Sequence, residues 1–247
     1  LYELRDLEAV LYSRLDKELS ETLKDFYYDE EKKMLIAKKA EFGNEMGNDH
    51  HFHYGYYIRA AAIVRNFSPE LNPEYSSVIN EMVEDIASES FEGARYPRLR
   101  SYSPYEGHSW ADGTAGFADG NNQESTSEAL NAWYAVRLWG EAIKDDGIKD
   151  KGEWLFSQEL AGTQAYWFGI GNAFPSGYGH SMASLVWGGK RDFATWFSPQ
   201  PTHVYGIQFL PITPASAYLA TSTNGLVIDL ALQGTNPATH EWGDLYL

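Results

Sequence analysis

The sequence predicts a mainly α protein, in which inner helices that are apolar almost all round are covered by amphipathic outer ones, with a few short strands. Three observations predict it. Residues 53–66 (HYGYYIRAAAIVRN) and the helical stretch 122–143 are apolar round most of their circumference, as helices buried on most sides are. Leu4, Leu7, Leu11, Leu15 and Leu19 recur at three- and four-residue steps, and 73–91 is likewise amphipathic, so 4–23 and 73–91 can supply a covering layer. Residues 92–121 are rich in Gly, Ser, Asp, Pro and Tyr without a period, and so long a loop in a compact domain is usually functional.

In chain order, the first helix runs over 4–23 and a turn or short strand over 26–36. The second helix covers 53–66. Pro69 and Pro73 then break the chain, and Pro73 suits the first position of a third helix, 73–91. The fourth helix follows the long loop at 122–143, and 150–169 reads as a fifth. Residues 184–187, 203–210 and 226–230 read as strands or extended pieces, with one or two helical turns at 214–220.

Composition narrows the function. The chain has 247 residues and a net charge of −16, which disfavours nucleic acid and anionic membrane as partners, since both attract clustered Lys and Arg. No apolar run approaches the roughly 18 residues of a membrane span. There is no cysteine, so disulfides, thiolate chemistry and Cys-bound zinc are excluded together. Aromatic residues reach 15%, and flat rings with a polar edge pack a core or stack on sugar rings. The chain opens on Leu1 and shows no signal-peptide pattern, which suggests a fragment or a processed product.

Two clusters could do chemistry. In Asn48-Asp49-His50-His51-Phe52-His53-Tyr54-Gly55, Asp49 and His53 share a face if the second helix starts a turn early. Three readings are open there: a metal site, a proton-donating acid beside an imidazole, or a helix start capped by Asn48 or Asp49. In Asp119-Gly120-Asn121-Asn122-Gln123-Glu124-Ser125-Thr126-Ser127-Glu128, Glu124 and Glu128 form an i, i+4 pair at the head of the fourth helix. The helix dipole favours carboxylates in a first turn, yet like charges at that spacing repel unless something shares them. Asn122 and Gln123 add amides beside these acids.

Carboxylates on different elements, amid amides and aromatics, are what glycosidic hydrolysis needs: one protonates the leaving oxygen, the other activates water or attacks the sugar. Gly107-His108-Ser109-Trp110-Ala111-Asp112-Gly113 could supply stacking through Trp110 and hydrogen bonds through His108. Tyr178, Trp187, Trp196 and Tyr205 are candidates to extend a groove, though each alone is more readily core than subsite.

At these residues the sequence resembles glycoside hydrolase family 81, the endo-β-1,3-glucanases. The stretches are NDHHFHYGYYIRAAA (48–62), GHSWADG (107–113), DGNNQESTSEALNAW (119–133) and ATWFSPQPTHVYGIQFLPITPASAYL (194–219). The resemblance implies an (α/α)6-type helical toroid or barrel, here in part, since members also carry an N-terminal β-sandwich and a longer helical domain. It implies inverting hydrolysis of internal bonds in laminarin, curdlan or fungal wall glucan, outside the cell, with no cofactor and no catalytic metal. Asp49 then becomes the general acid, and His53 its neighbour on the substrate. Glu124 becomes the leading base and Glu128 the second acid. His108, Asp119, Trp110, Tyr54, Asn122 and Gln123 complete the sugar site. Inversion requires the paired carboxyls to stand about 6.5–9.5 Å apart.

Overall fold

The computed structural model describes residues 2–39, 41–68, 73–91 and 94–220. The extended piece expected at 226–230 lies outside the described residues. The chain divides into two compact units. One comprises 1–102 and 132–154; the other comprises 103–131 and 155–247. Among the described residues, no helix is long and apolar enough to cross a membrane.

The first unit begins with α1 (Tyr2–Thr22), which runs into a 3-10 turn, Leu23–Asp25. Leu19 and Leu23 are buried, whereas Leu7 and Leu11 are more than half exposed, so the C-terminal end of the helix reaches the core. The segment expected to be a turn or short strand is a hairpin of β1 (Phe26–Asp29) and β2 (Met34–Ala37), with Phe26 opposite Ala37 and Asp29 opposite Met34. The Asp29 carboxylate accepts from the backbone of Glu31 and Lys32 at 3.0 and 2.9 Å, a local bond that shapes the turn.

Helix α2 (His50–Phe67) starts three residues before the expected His53, which puts Asp49 at its N-cap position. Helix α3 (Pro73–Ala87) stops short of Phe91. Ser88 ends it: its N–H closes on the Glu84 carbonyl at 3.1 Å and its hydroxyl accepts from the Ser90 N–H at 3.2 Å. Ile58, Ala61, Ala62, Ile79, Met82, Val83 and Ile86 form fully buried faces on α2 and α3, which pack on each other.

Helices α4 (Thr126–Ile143) and α5 (Asp146–Gly162) bring Trp133, Val136 and Trp139 into the first unit, all fully buried. The Trp139 indole N–H, which would otherwise be orphaned, donates to the Asn80 side chain at 2.8 Å. α5 starts earlier than expected because the Asp145 carboxylate caps it, accepting from the Ile148 N–H at 3.0 Å. It gives way after Gly162 to a π-helical turn, Thr163–Trp167. A Cβ built on Gly152 would lie 2.3 Å from the Arg137 backbone nitrogen, and one on Gly140 would lie 2.3 Å from that of Lys149. The two helix backbones therefore approach closely at two points, at each of which one of the helices has a glycine.

His51, on α2, is fully buried with its ring stacked on Trp133 at 5.7 Å. Burial, followed by the neighbouring imidazoles of His50 and His53, pushes its pKa from 6.5 down to about 3. The native ring therefore stays neutral where the unfolded one takes a proton, so stability should rise with pH from about 3 to 6.5 and be lost as pH falls through that window. The slope from this group is about 1.4 kcal/mol per pH unit. Denaturant midpoints measured between pH 4.5 and 6 should fall with acid, and less steeply in His51→Gln; parallel slopes would contradict the assignment.

The second unit contains β4 (His108–Ser109), which follows the short strand β3 (Tyr102–Ser103) after the turn 104–107. It also holds a three-stranded antiparallel sheet of β5 (Asn122–Gln123), β6 (Leu185–Trp187) and β7 (Arg191–Asp192). Asn122 pairs with Trp187, Gln123 with Val186, and Val186 with Arg191. The expected strand at 203–210 is instead a short helix, α6 (Pro201–Gly206), followed by a turn. Pro201 stands at its first position, where the fixed φ and missing N–H suit a helix, and this outweighs the strand preference of Val204 and Tyr205. A 3-10 segment, Pro214–Ala220, closes the described chain. Leu130, Trp167, Phe168, Met182, Val186, Tyr205 and Phe209 make one buried cluster.

Candidate active site

Asp49 belongs to the first unit, where a polar lattice fixes the chain around it. Its backbone is left-handed, with φ 56° and ψ 18°, a conformation that Asp adopts more readily than most residues. Its carbonyl accepts the His53 N–H at 3.0 Å, while its side chain makes no capping hydrogen bond, so the half-buried carboxylate is not spent on the helix start.

The three neighbouring imidazoles diverge. His50 is fully buried, with Nδ1 2.6 Å from Oδ2 of Asp85 and Nε2 donating to the Asn44 carbonyl at 2.8 Å. Asp85, also without exposure, takes the Leu35 N–H at 3.0 Å and has the Arg100 guanidinium at 3.4 Å. His51 packs on Trp133 in the core. His53 alone stays half-exposed, lining a cleft of about 250 Å³ with Phe26, Glu41, Phe42, Tyr56 and Tyr57. Burial, and then the His50 ring, lower its pKa. Among the described residues no three of His, Asp and Glu stand together as metal ligands.

Tyr54 has no exposed surface; its hydroxyl donates to the Leu35 carbonyl and accepts from the Asn44 amide at 3.2 Å. It braces the 44–54 segment from within rather than presenting a face to solvent.

In the second unit the acid-rich run is arranged differently from the helix expected at 122–143. Asn122 and Gln123 are strand residues, and α4 begins only at Thr126. The Ser125 carbonyl takes the first helical bond, from Ala129 at 3.1 Å, and Glu124 therefore precedes the helix. Glu124 and Glu128 are consequently not an i, i+4 pair on one helix, and the repulsion argument does not apply to them. Glu128 lies in the first turn, where the helix dipole favours a carboxylate, and both side chains are half-buried.

Asn122 and Gln123 are buried, so neither offers an open face to a sugar. Gln123 donates from Nε2 to the Ser109 hydroxyl at 2.7 Å and accepts the Ser125 N–H at 3.1 Å. Ser109 in turn donates from its hydroxyl and its N–H to the fully buried Glu159 carboxylate, at 3.0 and 2.8 Å.

Beside this lies a cleft of about 310 Å³ lined by Glu106, His108, Trp110, Tyr166, Trp187 and Arg191. His108 is 2% exposed, its Nδ1 2.8 Å from the Ser109 carbonyl, and burial lowers its pKa. Trp110 stands edge-on to it at 4.4 Å, with its indole N–H held by Glu106 at 2.9 Å. Asp119 is exposed and pairs with Lys190 at 3.1 Å. Trp187 and Trp196, 5.3 Å apart, meet the Phe117 ring to form a surface aromatic group, whereas Tyr205 is core.

Glu159, Gln208 and the His50–Asp85 pair were not singled out by the sequence reading. Glu159 carried a signal: it repeats at helical spacing with Leu155 and Thr163 in a buried stripe, where a lone carboxylate must have partners.

The described residues thus present a mainly helical frame with half-buried carboxylates and two clefts whose walls include phenol or indole rings. A model of the glycosyl hydrolase family 81 C-terminal domain matches residues 9–225, and the chain belongs to that family. The chain is 46% identical over 208 residues to a glucan endo-1,3-β-D-glucosidase of Acetivibrio thermocellus, covering 83% of this chain and 27% of that protein. It is 41% identical over 198 residues to one of Thermobifida fusca, covering 78% and 26%. A solved mutant of a family 81 glycoside hydrolase from Clostridium thermocellum superposes with TM-score 0.83 at 40% identity, over 88% of this chain and 32% of that one, which bears out the (α/α)-type helical class. The chain thus spans about a quarter to a third of the length of these relatives.

Proposed function

We propose that this chain is part of the catalytic helical domain of a secreted endo-acting hydrolase that cleaves β-1,3-glucosidic bonds in laminarin- or curdlan-type glucan with inversion. Asp49 protonates the leaving oxygen, with His53 beside it on the substrate. Glu124, or Glu128, ionised at working pH, takes the proton of the attacking water. His108, Trp110 and Asp119 hold sugar rings, while Tyr54, Asn122 and Gln123 act from behind the surface. No metal or cofactor takes part in this scheme.

The observation that carries the reading is the setting of Asp49: a half-buried carboxylate in a left-handed turn, not used for capping, on a chain 46% identical to a glucan endo-1,3-β-D-glucosidase. Reducing-end release from laminarin should be found for the wild type, with a bell-shaped pH profile and an acidic to neutral optimum. It should fall by about 10²–10⁴-fold in Glu124→Gln or Glu128→Gln, whichever carries the base. The first product seen by proton NMR should be the α-anomer. A flat profile from about pH 4 to 9 would contradict paired carboxylates. Binding of laminarin without release would instead make the chain a glucan-binding module.

A further inference from the structure

We propose that Gln208 is a positioning residue that sets the aim of the Glu124 and Glu128 carboxylates; the inference rests on the glucanase reading above.

Gln208 is fully buried. A primary amide has two N–H donors and two acceptor lone pairs, and here all are engaged. Nε2 donates to the Glu124 carbonyl and to the Ser184 carbonyl, the latter at 3.0 Å, while Oε1 accepts the Thr126 N–H at 3.3 Å and the Thr126 hydroxyl at 2.9 Å. Its neighbours extend the grip. The Ile207 carbonyl accepts the hydroxyls of Ser125 at 3.2 Å and Ser127 at 3.0 Å, and the Leu210 carbonyl shares the single Ser127 O–H with it. Residues 207–210 thus hold 124–127 almost residue by residue. From another direction Gln123 is tied through Ser109 to Glu159.

Glu124 lies between a strand and a helix, so neither ladder fixes its torsions. Gln208 bonds to the groups that would otherwise be loose: the Glu124 carbonyl and the Thr126 N–H at the helix mouth, where backbone donors have no helical partner. A fully paired buried amide specifies one geometry, whereas an apolar residue of equal volume would fill the space without specifying any. Catalytic carboxylates need such specification, because a misplacement of about 1 Å can cost of the order of 10²-fold in rate.

The test is Gln208→Met, which keeps length and volume and removes all of these bonds. In a variant still folded at the assay temperature, kcat on laminarin should fall about tenfold or more while KM stays within about threefold, since substrate-holding groups are untouched. Hydrogen exchange of the 123–128 amides should quicken. If Gln208→Met does not fold, Thr126→Val, which removes only the 2.9 Å bond, should show the same split at smaller size. Ile79→Val, a core change of ordinary cost, should lower thermal stability without the kcat loss. An unchanged kcat in either folded variant, or an equal loss in Ile79→Val, overturns the proposal. Wild-type protein inactive on glucan would instead remove the reading beneath it, and unchanged exchange of 123–128 would then overturn the clamp as well.

Discussion

Asp49→Asn is expected to lower kcat on laminarin by about 10²–10⁴-fold, the usual worth of a positioned proton donor. Asn is the informative replacement here. It tolerates the left-handed backbone at φ 56°, and no capping bond is lost, because the Asp49 side chain makes none. The helix start should therefore be kept, and the thermal midpoint should fall less than in a variant that distorts it. The basic limb of the pH profile, which reports loss of the donor's proton, should vanish with the residue. An aryl β-laminari-oligosaccharide whose phenol leaves without protonation should lose far less rate than laminarin does. Equal losses on both substrates would show that Asp49 holds sugar or structure rather than donating a proton.

Gly152→Ala is expected to cost the fold a large share of its stability for so small a change. The new Cβ would meet the Arg137 nitrogen at 2.3 Å and its Cα at 2.8 Å, both main-chain atoms that no rotamer change can move aside. Overpacking costs about 1–3 kcal/mol and more when backbone must shift. Alanine returns about 1 kcal/mol through its better helix propensity. A net loss of about 2 kcal/mol should lower the melting temperature by roughly 4–8 °C in a domain of this size. Gly116→Ala, whose Cβ would meet only the Thr114 hydroxyl at 3.6 Å, is the matched control and should change little. Equal melting temperatures for the two variants would mean that α4 and α5 can part without cost.

How much of this was legible in the sequence follows from the range of the forces involved. Helices at 2–22, 50–67 and 73–87 announce themselves because apolar periodicity is local. Their ends were misjudged where a single side chain decides them, as Ser88 and Asp145 do. Asn122 and Gln123 read as helix because their strand partners, Trp187 and Val186, stand more than sixty residues along the chain, and nothing nearby signals the pairing. Pro201, by contrast, was a local clue outweighed in the reading by the β-branched and aromatic residues after it. The acids Asp49, Glu124 and Glu128 were legible as candidates from residue type and motif. Gln208 was not, since a buried amide is identified by its partners, and these lie on 124–126 and 184.

The division of the chain bears on its synthesis. The first unit takes residues 1–102 and then waits for 132–154. At about 5–20 residues per second, roughly 3–10 s separate the emergence of residue 102 from that of residue 154. During that interval Ile58, Ala62, Ile79 and Val83 have been translated, while Trp133, Val136 and Trp139 of the same unit are still to come. A nascent chain with its apolar sides uncovered for seconds is a natural client for a ribosome-associated chaperone, and faster codons across 103–154 would shorten the exposure.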